Sequence, residues 1–176
     1  MRIEKENSIA LVIDYQEKLV PVMEKRHKLI HDSAILLAGL RELGVPMIIT
    51  QQYTRGLGTT VKEITDAVGE EDYVEKISFS AYENIKDQIA GKKFVIVCGI
   101  EAHICVMQTV IDLAEAGYVP VIVEDCISSR RESDKKTAIK RMRDEGAIVA
   151  TYESLLFELL KVAGTEQSKR IQRLIK

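Results

Sequence analysis

Three residues of this chain have the types and positions for nucleophilic chemistry. Cys105 comes after an apolar run, Phe94-Val95-Ile96-Val97-Cys98, a glycine and a short turn, and it opens a helix. Free N–H groups and a partial positive charge at a helix N-terminus favour thiolate, the reactive form of cysteine. Asp14 closes the apolar run Ile9-Ala10-Leu11-Val12-Ile13. Desolvation there raises a carboxyl pKa and makes a usable proton acceptor; the same residue also reads as a turn or N-cap aspartate. Lys76 ends Tyr73-Val74-Glu75-Lys76. Its ammonium can hold a thiolate and orient a carboxylate, and a lysine at a strand exit also reads as a solvated surface residue. Taken alone, Cys105 reads equally as a small buried hydrophobe. Cys98, inside a strand, and Cys126, in a polar loop with no base beside it, keep that reading.

The elements that position these residues are legible as a repeat. Four amphipathic stretches end at a glycine, at Gly44, Gly91, Gly117 and Gly146, and a short β-branched run follows each. Glycine marks helix ends, and strands without polar alternation are buried on both faces. The pattern predicts strands over residues 8–14, 46–50, 73–76, 93–99, 119–124 and 147–150. Helices are predicted over 81–90, 103–116 and 133–145, with a long one before the second strand and more after the sixth. Thr60 with Glu63 and Ser80 with Glu83 read as capping boxes. The fold class is α/β: a three-layer, six-stranded parallel sheet with right-handed crossovers and helices on both faces. Ligands of such sheets bind outside the carboxyl ends of the strands. Tyr15, Gln16, Tyr53 and Phe79 stand at those ends and read as substrate-gripping residues or as ordinary packing.

The strand ends resemble the isochorismatase-like cysteine hydrolases. The residues that carry the resemblance are Leu11-Val12-Ile13-Asp14-Tyr15-Gln16, Lys76 before Ser78-Phe79-Ser80, and Cys98-Gly99-Ile100-Glu101-Ala102-His103-Ile104-Cys105. The loop Gln51 to Val61 and the segment Glu124 to Arg130 are similar to a compact isochorismatase-domain subgroup of uncertain substrate. The likeness covers about residues 7–161 of a single domain, with 162–176 a helical tail. It implies an Asp14, Lys76, Cys105 triad that cleaves a small amide, or an ester, through an acyl-cysteine. It also implies a cis peptide at Ile100–Glu101, an oxyanion hole from the Glu101 and Cys105 amides, and homo-oligomers. Enol-ether cleavage and a non-catalytic binding role are the alternatives within that resemblance.

Nicotinamidases of that superfamily bind metal through histidines after the second strand. Here that place reads Thr50-Gln51-Gln52-Tyr53-Thr54, with no histidine between 32 and 102. No metal and no cofactor are therefore expected, and nicotinamide is a poor substrate candidate. His27 and His31 lack the spacing of a zinc helix. A His103–Cys105 dyad ranks below the aspartate and lysine, because residues two apart on a helix face different ways. Gly56-Leu57-Gly58 is a weak phosphate signal.

A formal net charge of -2 gives no global field for nucleic acid or membrane. The basic tail (Lys169, Arg170, Arg173, Lys176) reads as a solvated helix face. No apolar run approaches the roughly 20 residues of a membrane span. The N-terminus has no signal-peptide pattern, and the odd set of three cysteines fits a reducing, cytoplasmic setting. Leu155, Leu156, Leu159 and Leu160 make an apolar face that suits either an interface or the core.

Overall fold

The computed structural model describes residues 1–176. Six strands, β1 (Ser8–Ile13), β2 (Met47–Gln52), β3 (Tyr73–Lys76), β4 (Phe94–Ile100), β5 (Val119–Ser128) and β6 (Ile148–Ala150), form one sheet. Their order is β3-β2-β1-β4-β5-β6, and every pairing is parallel. The chain order reverses direction between β1 and β4, and a crevice opens at such a switch. No helix is long and apolar enough to cross a membrane.

Alternation along the central strands divides the interior in two. Phe94, Ile96, Cys98 and Ile100 of β4 face a larger core, while Val95 and Val97 face a smaller one. The larger core is closed by α1 (Arg26–Glu42), α3 (Lys62–Val68), α7 (Tyr152–Leu160) and α8 (Glu166–Ile175). The smaller is closed by α4 (Tyr82–Ile85), α5 (Met107–Glu115) and α6 (Glu132–Asp144). A one-turn helix, α2 (Thr54–Leu57), lies in the loop after β2. Leu155, Leu156, Leu159 and Leu160 are all buried in the larger core. The tail helix is part of the body too: Ile171 is fully buried, and Arg170 pairs with Glu42 at 2.6 Å.

Several boundaries differ from the sequence expectation, and two of the differences matter for function. Strand β2 continues two residues further than expected, because Gln51 and Gln52 pair in register with Glu75 and Lys76. Strand β5 runs on to Ser128, so Cys126 is a buried strand residue and not part of a polar loop. The expected helix over 81–90 shrinks to the single turn of α4. The expected helix over 103–116 divides into a π-helical segment, Ala102–Val106, and α5.

Neither expected capping box forms. Thr60 turns its hydroxyl to Gln51 Oε1 (2.9 Å), and α3 starts at Val61 without a side-chain cap. Ser80 lies one residue outside the start of α4, and its Oγ accepts only from the Tyr82 amide at 3.3 Å. A capping box does form at α7, between Thr151 and Ser154. Serine at the third helical position replaces the usual Glu or Gln there, which hides it from sequence pattern.

Candidate active site

Four neighbouring strand ends deliver four side chains in spatial order: Lys76 ending β3, Gln52 ending β2, Asp14 just after β1 and Cys105 beyond β4. Asp14 takes the left-handed conformation (φ 53°), and its amide donates to the Thr50 carbonyl at 3.2 Å. Its Oδ1 accepts from Thr50 Oγ1 at 2.8 Å. Two sheet spacings of about 4.8 Å separate β3 from β1, and the lysine stem and the aspartate side chain reach toward each other across that gap. Lys76 Nζ then lies 2.7 Å from Asp14 Oδ2, with both side chains fully buried.

The three ammonium protons have other acceptors: Gln52 Oε1 (2.6 Å), Phe79 O (3.0 Å) and Ser78 O (3.2 Å). Asp14 Oδ2 is left as the one buried side-chain polar atom without a hydrogen-bond donor. An orphan of this kind costs stability and calls for an explanation. Cys105 supplies one. Its thiol feels the charges of both Asp14 and Lys76, and its Sγ is 3.8 Å from Gln52 Oε1.

Burial pushes the Cys105 thiol up to about 12, and the Asp14 charge adds to the rise; Lys76 opposes it without prevailing. This corrects the expectation of a resting thiolate. Desolvation of the anion is the largest cause.

The turn before Cys105 is tightly built. At Gly99 (φ 135°) a Cβ would come 2.2 Å from the Ile13 carbonyl, so only glycine lets β4 pass this close to β1. The Ile100–Glu101 peptide is cis. The Glu101 carbonyl accepts from Ile104 (3.1 Å) and Val106 (3.2 Å), the amides on either side of Cys105, while the Glu101 amide finds no acceptor. The Glu101 side chain is buried and holds the Arg130 amide and guanidinium at 3.1 Å, tying this turn to the end of β5.

Other predicted residues are placed differently. Tyr15 is fully buried in the larger core; its hydroxyl donates to the Cys126 carbonyl (2.5 Å) and contacts Ser33 Oγ (2.7 Å). Gln16 is also buried and clamps the loop after β2, donating to the Gln52 and Gly58 carbonyls and accepting from the Gln52 amide. Neither is free to grip a substrate with its side chain, which corrects that reading. Tyr53 and Phe79 are half exposed on the rim, beside Gln52 and Lys76 respectively. His103 turns to Ser129 Oγ (2.9 Å), away from any dyad with Cys105. Gln52 and Thr50 were missed as site residues. The signal available was two polar residues closing an apolar strand, and what hid them was the two-residue extension of β2.

Residues 8–154 match the family model described as the isochorismatase domain. The chain belongs to the isochorismatase family. It is similar to the mouse protein named isochorismatase domain-containing protein 2A, 38% identical and covering 99% of this chain and 85% of that one. Among solved structures it resembles one titled MAR1 ribonuclease from Caenorhabditis elegans. That match has a TM-score of 0.94 and 35% identity, covering 99% of this chain and 92% of the other. The Escherichia coli ycaC gene product, titled an octameric hydrolase of unknown specificity, shares the fold with a TM-score of 0.86. At 23% identity, over 92% of this chain and 83% of that one, it speaks for the fold alone. At the level of the family, this isochorismatase-family chain is a hydrolase.

Proposed function

We propose that the protein is a metal-independent cysteine hydrolase that cleaves the C–N bond of a small amide. The observation that carries the reading is the orphaned Asp14 Oδ2 beside a protonated, buried Cys105. The Cys105 thiol proton passes to Oδ2 as sulfur attacks the carbonyl carbon, and the C=O electron pair moves onto oxygen. The unpaired Glu101 amide, with that of Cys105, receives the oxyanion. The intermediate collapses, the C–N bond breaks, and the amine leaves with the proton from Asp14. Water then gives its proton to Asp14 and adds to the thioester, which releases the acid and restores the thiol. Lys76 compensates the Asp14 carboxylate by charge, and Gln52 holds Lys76 in place.

The exposed rings of Tyr53 and Phe79 suit a small planar or apolar acyl group. Exposed Ile77 continues that apolar rim, and we propose that it helps the chain assemble as a homo-oligomer. A ribonuclease activity, which the nematode protein's title assigns to that protein, would need cationic groups for a phosphodiester. Lys76 is fully buried and committed to three acceptors.

The test is a panel of small amides given to wild type and to Cys105→Ala, with intact-mass detection of adducts. Wild type should gain the mass of the acyl group and turn over; Cys105→Ala should do neither. Amide turnover that survives in Cys105→Ala would overturn the covalent route.

A further inference from the structure

A cavity of about 320 Å³ opens on the carboxyl side of the sheet, between the start of α1, the far end of β5 and α6. Its size is that of a small-ligand pocket. None of the triad residues lines it. Lys25, Lys135 and Lys136 face Glu124, Asp125 and Glu132 across it. None of these six makes an ion pair. Lys28, also on the wall, is engaged with Asp32.

Two of the unpaired groups are deep enough to be partly desolvated. Burial pulls the Lys135 ammonium down, against the pull of Glu132, Glu124 and Asp125. Burial pushes the Asp125 carboxyl up, and Asp125 has the Tyr152 amide (2.9 Å) and the weak Cys126 thiol donor as partners. An unpaired charge held out of water is stabilised by a ligand that brings the opposite charge. The cavity asks for both signs at once. It also has an apolar wall of Leu29, Ile127 and Ile139.

We propose that this cavity is a second binding site, for an α-amino acid with an apolar side chain. The ligand's carboxylate lies against Lys135 and Lys25, its ammonium against Asp125 and Glu124, and its side chain on Leu29 and Ile127. The wall of the cavity leads toward the active site. Ser128 Oγ donates to the Glu24 carbonyl at 2.8 Å, the Glu24 amide donates to Ser129 O at 3.0 Å, and the next residue, Arg130, holds Glu101.

L-leucine tests this directly, with isocaproate (no ammonium) and isoamylamine (no carboxylate) as controls. Binding is read by amide chemical shifts of the full chain, with calorimetry. Leucine should give saturable shifts at Glu24, Asp125 and Ser128, and the controls should bind at least tenfold more weakly. Lys135→Met and Asp125→Asn, on opposite walls and each checked for an unchanged fold, should each weaken leucine by tenfold or more. Cys105→Ala should leave its affinity unchanged, which separates this site from the catalytic proposal. Absence of saturable binding, shifts confined to the Cys105 turn, or a control that binds as tightly as leucine would each overturn the assignment.

Discussion

Lys76 Nζ lies 2.7 Å from Asp14 Oδ2, and yet that oxygen has no hydrogen-bond donor. The ammonium compensates the carboxylate by charge while its protons serve Gln52, Ser78 and Phe79. Asp14 thus has its charge compensated in a dry place, with one acceptor position open.

Breaking that pair should destabilise the fold strongly. Lys76→Met leaves a buried carboxylate and a buried amide oxygen without their cation, a loss of about 3–5 kcal/mol. The double change Asp14→Asn/Lys76→Met should recover part of it, because no charge then stays buried. Urea midpoints of the four proteins in the cycle give the coupling. Losses that simply add in the double variant would show that the two residues do not act as a pair.

The Cys105 thiol, pushed up to about 12, should alkylate more slowly near neutral pH than a small free thiol, with a rate that climbs through the alkaline range. Asp14→Asn removes a charge that raises the thiol pKa and leaves Lys76 to lower it. That variant should therefore alkylate faster than wild type while hydrolysis falls by roughly a hundredfold or more. Iodoacetamide labelling read by mass spectrometry, set beside turnover, measures both. A parallel fall in the two would point to a misplaced cysteine instead.

Gly99→Ala should damage the site from outside it. The added methyl meets the Ile13 carbonyl at 2.2 Å, at a φ of 135° that side chains rarely adopt. Relief requires the ends of β1 and β4 to part, and those ends carry Asp14 and Cys105. A stability loss of about 1–3 kcal/mol is expected, with a larger proportional loss in kcat than in substrate affinity, since about 1 Å of misplacement is enough. Thermal melts and steady-state kinetics check the two parts.

Alkali should unfold the protein earlier than its charge alone suggests. Burial raises Cys98 and Cys105 from the ordinary 9.0 to about 12, and it raises Cys126 as well. Above about pH 9 an unfolded chain releases thiol protons that the folded chain retains. The folded state then binds more protons, so stability is full below that pH and is lost as pH rises toward about 12. The slope approaches about 1.4 kcal/mol per pH unit for each group, or about 4 for three. Cys105→Ala should remove about a third of it, as measured by urea midpoints across that range.

Much of this was legible in the chain. Asp14 and Cys105 each close or follow an apolar β-branched run, Lys76 ends a short strand, and a parallel sheet gathers the carboxyl ends of its strands at one edge. Periodicity therefore fixed the topology class and the edge where chemistry belongs. The misses have specific causes. Ile13 faces the smaller core, so plain alternation would return Tyr15 to that side. The left-handed Asp14 breaks the alternation and turns Tyr15 into the larger core. Gln52 joined the site only because the register of β2 against β3 set it beside Lys76.

The sequence by itself determined which residues can react and on which strands they sit, because hydrophobic period and helix-ending glycines are local properties. Only the tertiary structure decided that Cys105 rests protonated, that Asp14 Oδ2 waits without a donor, and that Lys76 spends its protons elsewhere. Those facts depend on desolvation and on distances between strands far apart in the chain, and neither is written in any local run of residues.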